Sequence, residues 1–135
     1  KEIMNLIDQT LLDDLSRRAA ASERLRMNHN FHDSLDAPSQ RLLNALEPGT
    51  QMPVHRHLHT SETYVLLRGR LRVMYYDDAG RLTDEAVLDP AAGRYGVHIP
   101  RGQWHSLVVL AAGTVLFEAK DGPYTPLTPD CIQSR

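Results

Sequence analysis

Four side chains in this sequence have the types and the spacing to hold a divalent metal ion. His55 and His57 stand one residue apart, and Glu62 follows five residues later, within a stretch bounded by Gly49 and Gly69. Strand side chains alternate, so a strand through this stretch presents both imidazoles to one side. His105, inside Pro100–Val109, offers a fourth ligand. Three neutral imidazoles and one carboxylate suit Zn, Fe, Mn, Ni or Cu without choosing among them. The expectation is one divalent transition metal per chain. Four protein ligands leave one or two positions on an octahedral ion for water or a substrate oxygen, with the metal as Lewis acid or template. His59 competes with Glu62, because it shares strand parity with His57. Thr60–Ser61 reads as a break after which Glu62 opens the returning strand, so Glu62 is preferred, with Tyr64 and Leu66 facing inward beside it.

The elements that position these ligands are mostly short strands. A helix is expected over Leu11–Arg24, with Thr10 and Asp13 resembling a capping box and an apolar stripe of Leu11, Leu15 and Ala19. Residues Glu2–Asp8 read as a short strand or a lead-in. Next, Arg26, Asn28, Asn30 and His32 alternate, so a strand here sets all four on one face; the plainer reading is a solvated edge strand. His29 falls on the opposite face. Residues 41–47 are apolar and short, and their periodicity separates neither strand from helix. The Pro48–Gly49 turn and the His55 stretch suggest a hairpin. Residues 71–89 read as strand, turn and strand about Asp77–Gly80. Pro90–Gly93 is a loop, and 94–100 is a strand before the Arg101–Gly102 turn. Residues 104–110 and 114–120 suggest a last hairpin about Ala111–Gly113. One helix followed by about eight strands at hairpin spacing predicts an antiparallel barrel or jelly roll.

Bulk composition fits that reading. The chain has 135 residues, 41% apolar and 24% charged, with a formal net charge of -2. This length suits one domain with a sizeable core. The charge gives no basic footprint for nucleic acid. No apolar run approaches the ~20 residues of a membrane span, and no leader signature opens the chain, which begins on Lys1 rather than Met. The single cysteine, Cys131, has no internal disulfide partner, as suits a cytoplasmic protein.

The spacing Gly49-x5-His55-x-His57-x4-Glu62-x6-Gly69 matches the first motif of the cupin superfamily, and Pro100-x-Gly102-x2-His105 matches most of the second. Gly93 lies one residue further from Pro100 than that motif asks, and Val109 replaces its terminal Asn. The resemblance implies a mainly β, single-domain cupin, a double-stranded β-helix or jelly-roll barrel with an N-terminal helix. Residues 1–25 would form a helical segment packed on the barrel, 26–122 the barrel and 123–135 an irregular tail. A narrower likeness runs from the helix to Pro123. It rests on Arg24-Leu25-Arg26-x-Asn28-x-Asn30-Phe31-His32, Gln40-Arg41, Val65-x3-Gly69, Tyr76-Asp77-x2-Gly80-Arg81, Trp104-His105 and Glu118-x-Lys120-x-Gly122-Pro123. In these residues the chain resembles the WbuC family of cupin-fold metalloproteins, which implies a setting in bacterial O-antigen and surface-polysaccharide metabolism.

Three functions fit: a metal-dependent enzyme on a small polar substrate such as a sugar or sugar nucleotide, a metal-dependent sensor or binding module, and a barrel with a structural metal. Structural sites are usually Cys-rich, which disfavours the last. An enzyme, by isomerisation, epimerisation or oxidation, needs an acid or base near the metal. Candidates are Tyr64, His32, Glu118 and Lys120. Arg26, Asn28, Asn30, Arg41 and Lys120 could converge at the barrel mouth on a small anionic, hydroxyl-bearing ligand. A homodimer formed through the first third of the chain is expected, covering a sheet edge.

Overall fold

Alternating buried and less buried residues in strands such as Glu62–Arg68 and Leu71–Tyr76 give each a core-facing side, and the strands fall into two facing sheets. A computed structural model describes residues 3–134. Helix α1 spans Gln9–Ala21 and precedes eight strands: β1 (Arg26–Asn30), β2 (Ser39–Leu46), β3 (Glu62–Arg68), β4 (Leu71–Tyr76), β5 (Leu82–Leu88), β6 (Gly96–Ile99), β7 (Trp104–Val109) and β8 (Thr114–Asp121). Short 3-10 turns lie at Pro90–Ala92 and Pro129–Cys131. One antiparallel sheet has the order β1-β2-β8-β3-β6, and the other β5-β4-β7. No helix among the described residues is long and apolar enough to cross a membrane.

Between the sheets lies the main core. Leu46, Tyr64, Leu66 and Leu116 from the larger sheet meet Leu71, Val73, Leu107 and Val109 from the smaller. On the outer face, Leu12, Leu15 and Ala19 of α1 cover Leu43, Ala45 and Val115. Strand β2 is therefore apolar on both faces, which is why its periodicity was ambiguous between strand and helix. Gly69 closes the β3–β4 turn at φ +92°, where any Cβ would overlap Thr114. Gly96 lets β6 lie against β3, since a Cβ there would overlap the Tyr64 carbonyl.

Several local expectations change. The helix starts two residues before Leu11 and ends at Ala21, and its cap is Asp8, whose Oδ1 accepts from Leu11 N at 3.0 Å. Asp13 does not complete a capping box; it pairs with Arg68 at 2.7 Å, tying α1 to β3. Leu12 rather than Leu11 joins Leu15 and Ala19 in the buried stripe. Of the lead-in, Glu2 lies outside the described residues, and residues 3–8 form no strand. The two proposed hairpins do not form. Strand β2 pairs with β1 and β8 rather than with the His55 stretch. Strands β7 and β8 belong to different sheets, so Ala111–Gly113 crosses between layers. Both errors have one cause: adjacency in sequence favours local pairing, whereas a double-layered barrel joins strands across the gap.

Candidate metal centre

The candidate ligands come from both sheets and from a segment that belongs to neither. Residues 51–61 hold no regular strand, only isolated bridging at His55, which lies opposite His105 on one side and Ile132 on the other. Both backbone bonds of that pair form, His55 N to His105 O at 3.0 Å and His105 N to His55 O at 2.9 Å. His57 O accepts from Gly102 N at 2.8 Å, so the Arg101–Gly102 turn fixes the next ligand. Glu62 is the first residue of β3 and His105 the second of β7. The ligand atoms of His55, His57, Glu62 and His105 all lie within 4.8 Å of one another. Bonds of about 2.0–2.2 Å hold ligand atoms roughly 3–4.4 Å apart around one ion, so slight contraction suffices.

Hydrogen bonds set the tautomers. His55 Nδ1–H donates to the Pro53 carbonyl and His105 Nδ1–H to the Gln103 carbonyl, each at 2.9 Å. A carbonyl only accepts, so in each neutral ring Nε2 carries the lone pair. His105 Nε2 is buried without a hydrogen-bond partner, although Glu62 Oε1 lies 2.9 Å away. Two acceptors at that distance repel unless a proton or a cation lies between them. A divalent ion resolves the conflict, and the donor set therefore fits a metal.

Burial, followed by the charge of His105, lowers the His55 pKa to about 4. Burial and then Lys120 lower that of His57 to about 4. Burial alone would raise Glu62, but the adjoining His105, with His57 and Lys120, holds it at about 2. A neutral His55 and His57 beside an ionised Glu62 are protonation states that metal ligation requires.

Around this cluster the structure gathers three of the four acid–base candidates. Tyr64 donates its hydroxyl to Glu62 Oε1 at 3.1 Å, and burial, then the charges of Glu62 and Glu118, raise its pKa well above the usual value. Burial, and then the Glu62 charge, push Glu118 up to about 7. Lys120 Nζ lies 3.4 Å from both ring nitrogens of His57. His32 is elsewhere: its Nδ1 meets the backbone N and O of Arg41 at 3.2 Å, bracing the β1–β2 connection. His59 is exposed and outside the cluster.

The expected ligand face divides. Arg26, Asn28 and Asn30 pair with Leu46, Asn44 and Leu42, so they share the inner face of the larger sheet. Arg41 has the opposite parity, with Leu43 and Ala45, and is exposed on the outer face. It therefore does not share a face with the others. Sequence reading passed over Asn44, whose Nδ2 donates to Glu118 Oε2 at 3.4 Å. A lone amide in an otherwise apolar run was its only signal. The C-terminal tail was also missed as a support: Cys131 O accepts from Arg56 N at 3.0 Å, and Gln133 N donates to Val54 O at 2.9 Å.

Residues 7–88 match the model of a domain of unknown function, DUF6016. The chain belongs to the DUF6016 family. No curated protein matches it significantly. Solved structures similar to this DUF6016 chain include the capsular polysaccharide assembling protein CapF from Staphylococcus aureus, with TM-score 0.64 and 19% identity over 81% of this chain and 31% of CapF. The cupin domain of Schizosaccharomyces pombe Cnp3 aligns with TM-score 0.58 and 12% identity, covering 73% of this chain and 66% of that one. A recombinant oxalate oxidase in complex with glycolate gives TM-score 0.56 and 18% identity, covering 75% and 52%. The chain thus spans about a third of the length of CapF. At these identities the likeness concerns the fold, which is the cupin barrel.

Proposed function

We propose that this cupin is a metal-dependent enzyme acting on a small anionic polar substrate, a sugar or sugar-nucleotide derivative, in bacterial surface-polysaccharide metabolism in the cytoplasm. The observation that carries the reading is the pairing of a metal-ready ligand set with a second group of titratable side chains beside it. His55, His57, Glu62 and His105 would hold one divalent transition metal, which supplies Lewis acidity to a bound oxygen. Lys120, beside His57, offers a cation to an anionic substrate. Tyr64 holds Glu62 in place with its hydroxyl, and Glu118, with a pKa near neutrality, can accept or return a proton at its Oε atoms. The likeness to WbuC proteins and to the CapF fold supports the polysaccharide setting, and an oxalate oxidase fold holding glycolate supports a hydroxylated anion. We further propose the division into a helical segment (1–25), a barrel (26–122) and a tail (123–135), and association as a homodimer.

The test is elemental analysis followed by assay. Purified protein is expected to carry about one divalent transition metal per chain, and His55→Ala/His57→Ala to lose it while keeping its far-ultraviolet spectrum. Turnover of a panel of sugar acids and sugar nucleotides should require the metal and fall at least tenfold in Glu118→Gln. Metal-dependent binding without turnover would make the chain a binding module instead. Undiminished metal in the double variant would overturn the ligand set.

A further inference from the structure

The polar group on β1 and β2 lines a pocket separate from the metal cluster, with Glu118 between the two. Arg26 pairs with Leu46, which pairs with Thr114 at the start of β8, whereas Glu62 pairs with Lys120 near its end. Six residues of strand, roughly 20 Å, separate those two backbone levels, but Asn44 pairs with Leu116, nearer to Lys120, and reaches Glu118. Ser22, Arg24, Arg26, Met27, Asn28 and Asn44 line a pocket of about 360 Å³, within the size range of small-molecule sites.

Two features of this pocket ask for a ligand. Asn44 is only 8% exposed, and its Oδ1 is buried without a hydrogen-bond partner. Its Nδ2 already donates to Glu118 Oε2. Flipping the amide would transfer the vacancy to Nδ2 rather than remove it. A buried amide oxygen left unpaired is costly, so a donor is wanted there. The second feature is charge. Burial, and then the neighbouring Arg24, disfavour the Arg26 cation, with Glu118 acting the other way, and neither arginine forms an ion pair among the described residues. Between them Leu25 adopts φ 57°, and its carbonyl is held by Thr50 Oγ1 and Glu47 N, each at 2.9 Å. The turn that presents both guanidinium groups is thereby fixed.

We propose that this pocket is a subsite for a hydroxylated organic anion, whose carboxylate or phosphate lies between Arg24 and Arg26 and whose hydroxyl donates to Asn44 Oδ1. Guanidinium forks match either anion bidentately, and Asn28 adds a further amide. This inference deepens the proposed function, resting on it for a small-molecule substrate in the same barrel. Asn44 donates to Glu118 and Tyr64 donates to Glu62, and Glu118 lies beside Tyr64, so polar groups run from the pocket to the candidate metal ligands.

The experiment is calorimetric titration of gluconate, glucose 6-phosphate, inorganic phosphate and neutral sorbitol into metal-loaded and metal-stripped protein. Wild type, Arg24→Met, Arg26→Met and Asn44→Leu are compared, with metal content measured alongside. At least one hydroxylated anion is expected to bind wild type in both metal states, while sorbitol does not. Gluconate against glucose 6-phosphate tells whether carboxylate or phosphate is the preferred anion. Arg26→Met should weaken binding tenfold or more, and Asn44→Leu should erase the preference for the hydroxylated anions over inorganic phosphate. Arg24 is exposed, so Arg24→Met gives a severalfold loss in a protein that folds normally. Binding that all three variants leave unchanged, or no binding of any anion, overturns the subsite. Loss of metal with intact anion binding would sink the metal reading alone. Metal retained with Arg-independent binding would sink the subsite alone.

Discussion

His105 Nε2 and Glu62 Oε1, 2.9 Å apart and both acceptors in the neutral-imidazole state, place the strongest local demand for a cation. Glu62 supplies the only anion of the four ligands. Glu62→Gln is therefore expected to weaken metal binding by roughly one to two orders of magnitude, while His59→Ala leaves it near wild type. Competition with a chromophoric chelator measures both, and the reverse ranking would remove Glu62 from the ligand set. Glu118 makes a different prediction. Its folded pKa, about 7, stands above its ordinary 4.5. The folded state therefore binds more protons than the unfolded state between these values. The stability it contributes is fully present below pH 4.5 and is lost as pH rises through about 7. The groups facing it are Glu62, Tyr64, Lys120, Asn44 and Arg26. Glu118→Gln should flatten the decline in melting temperature between pH 5 and pH 8. An equal decline in wild type and variant would assign it to another group.

At the scale of elements, the segment carrying His55 and His57 gains order from its neighbours rather than from itself. On one side β7 holds it through the His55–His105 pair, and on the other the C-terminal tail holds it. The tail contacts are Arg56 N to Cys131 O, Gln133 N to Val54 O, and a bridge between His55 and Ile132. Gln133 Nε2 also donates to Asp77 O at 2.8 Å, anchoring the tail to the β4–β5 turn. Arg56 stacks over Trp104 at 4.4 Å, and Trp104 Nε1 donates to Asp78 Oδ1 at 2.9 Å. Neither core cluster includes a tail residue. Removal of residues 124–135 is thus expected to leave the barrel folded while metal affinity falls tenfold or more. Circular dichroism and chelator competition read the two separately. Unchanged affinity would show that β7 alone suffices to hold the histidines.

At the scale of the whole molecule, the segment before α1 carries apolar side chains with little cover. Ile3 is 89% and Met4 78% exposed, with Leu6 and Ile7 also exposed. Contiguous exposed apolar residues mark interaction surfaces. Strand β1 next to them ends the larger sheet with an open edge. The proposed homodimer would cover both. Light scattering at micromolar concentration is expected to give twice the chain mass, and Ile3→Ser/Leu6→Ser to shift it toward monomer. A monomer in wild type would remove the dimer.

What the sequence determined is the part of the molecule written in local periodicity and fixed spacing. Strand alternation placed Glu62, Tyr64 and Leu66 inward and Arg26, Asn28 and Asn30 on one face, because parity depends only on neighbours along the chain. The intervals among His55, His57, Glu62 and His105 pointed to a cluster that the fold does bring together. Pairing across space was not legible. Which strands lie side by side depends on loop crossings and shared core burial, so β8 came to lie between β2 and β3 instead of beside β7. For the same reason only the tertiary structure set Arg41 on the outer face and kept the arginine pocket separate from the metal cluster. It also buried Asn44, and it made the tail a support for His55. Each of these depends on residues far apart in sequence being packed together, and local pattern holds no record of that.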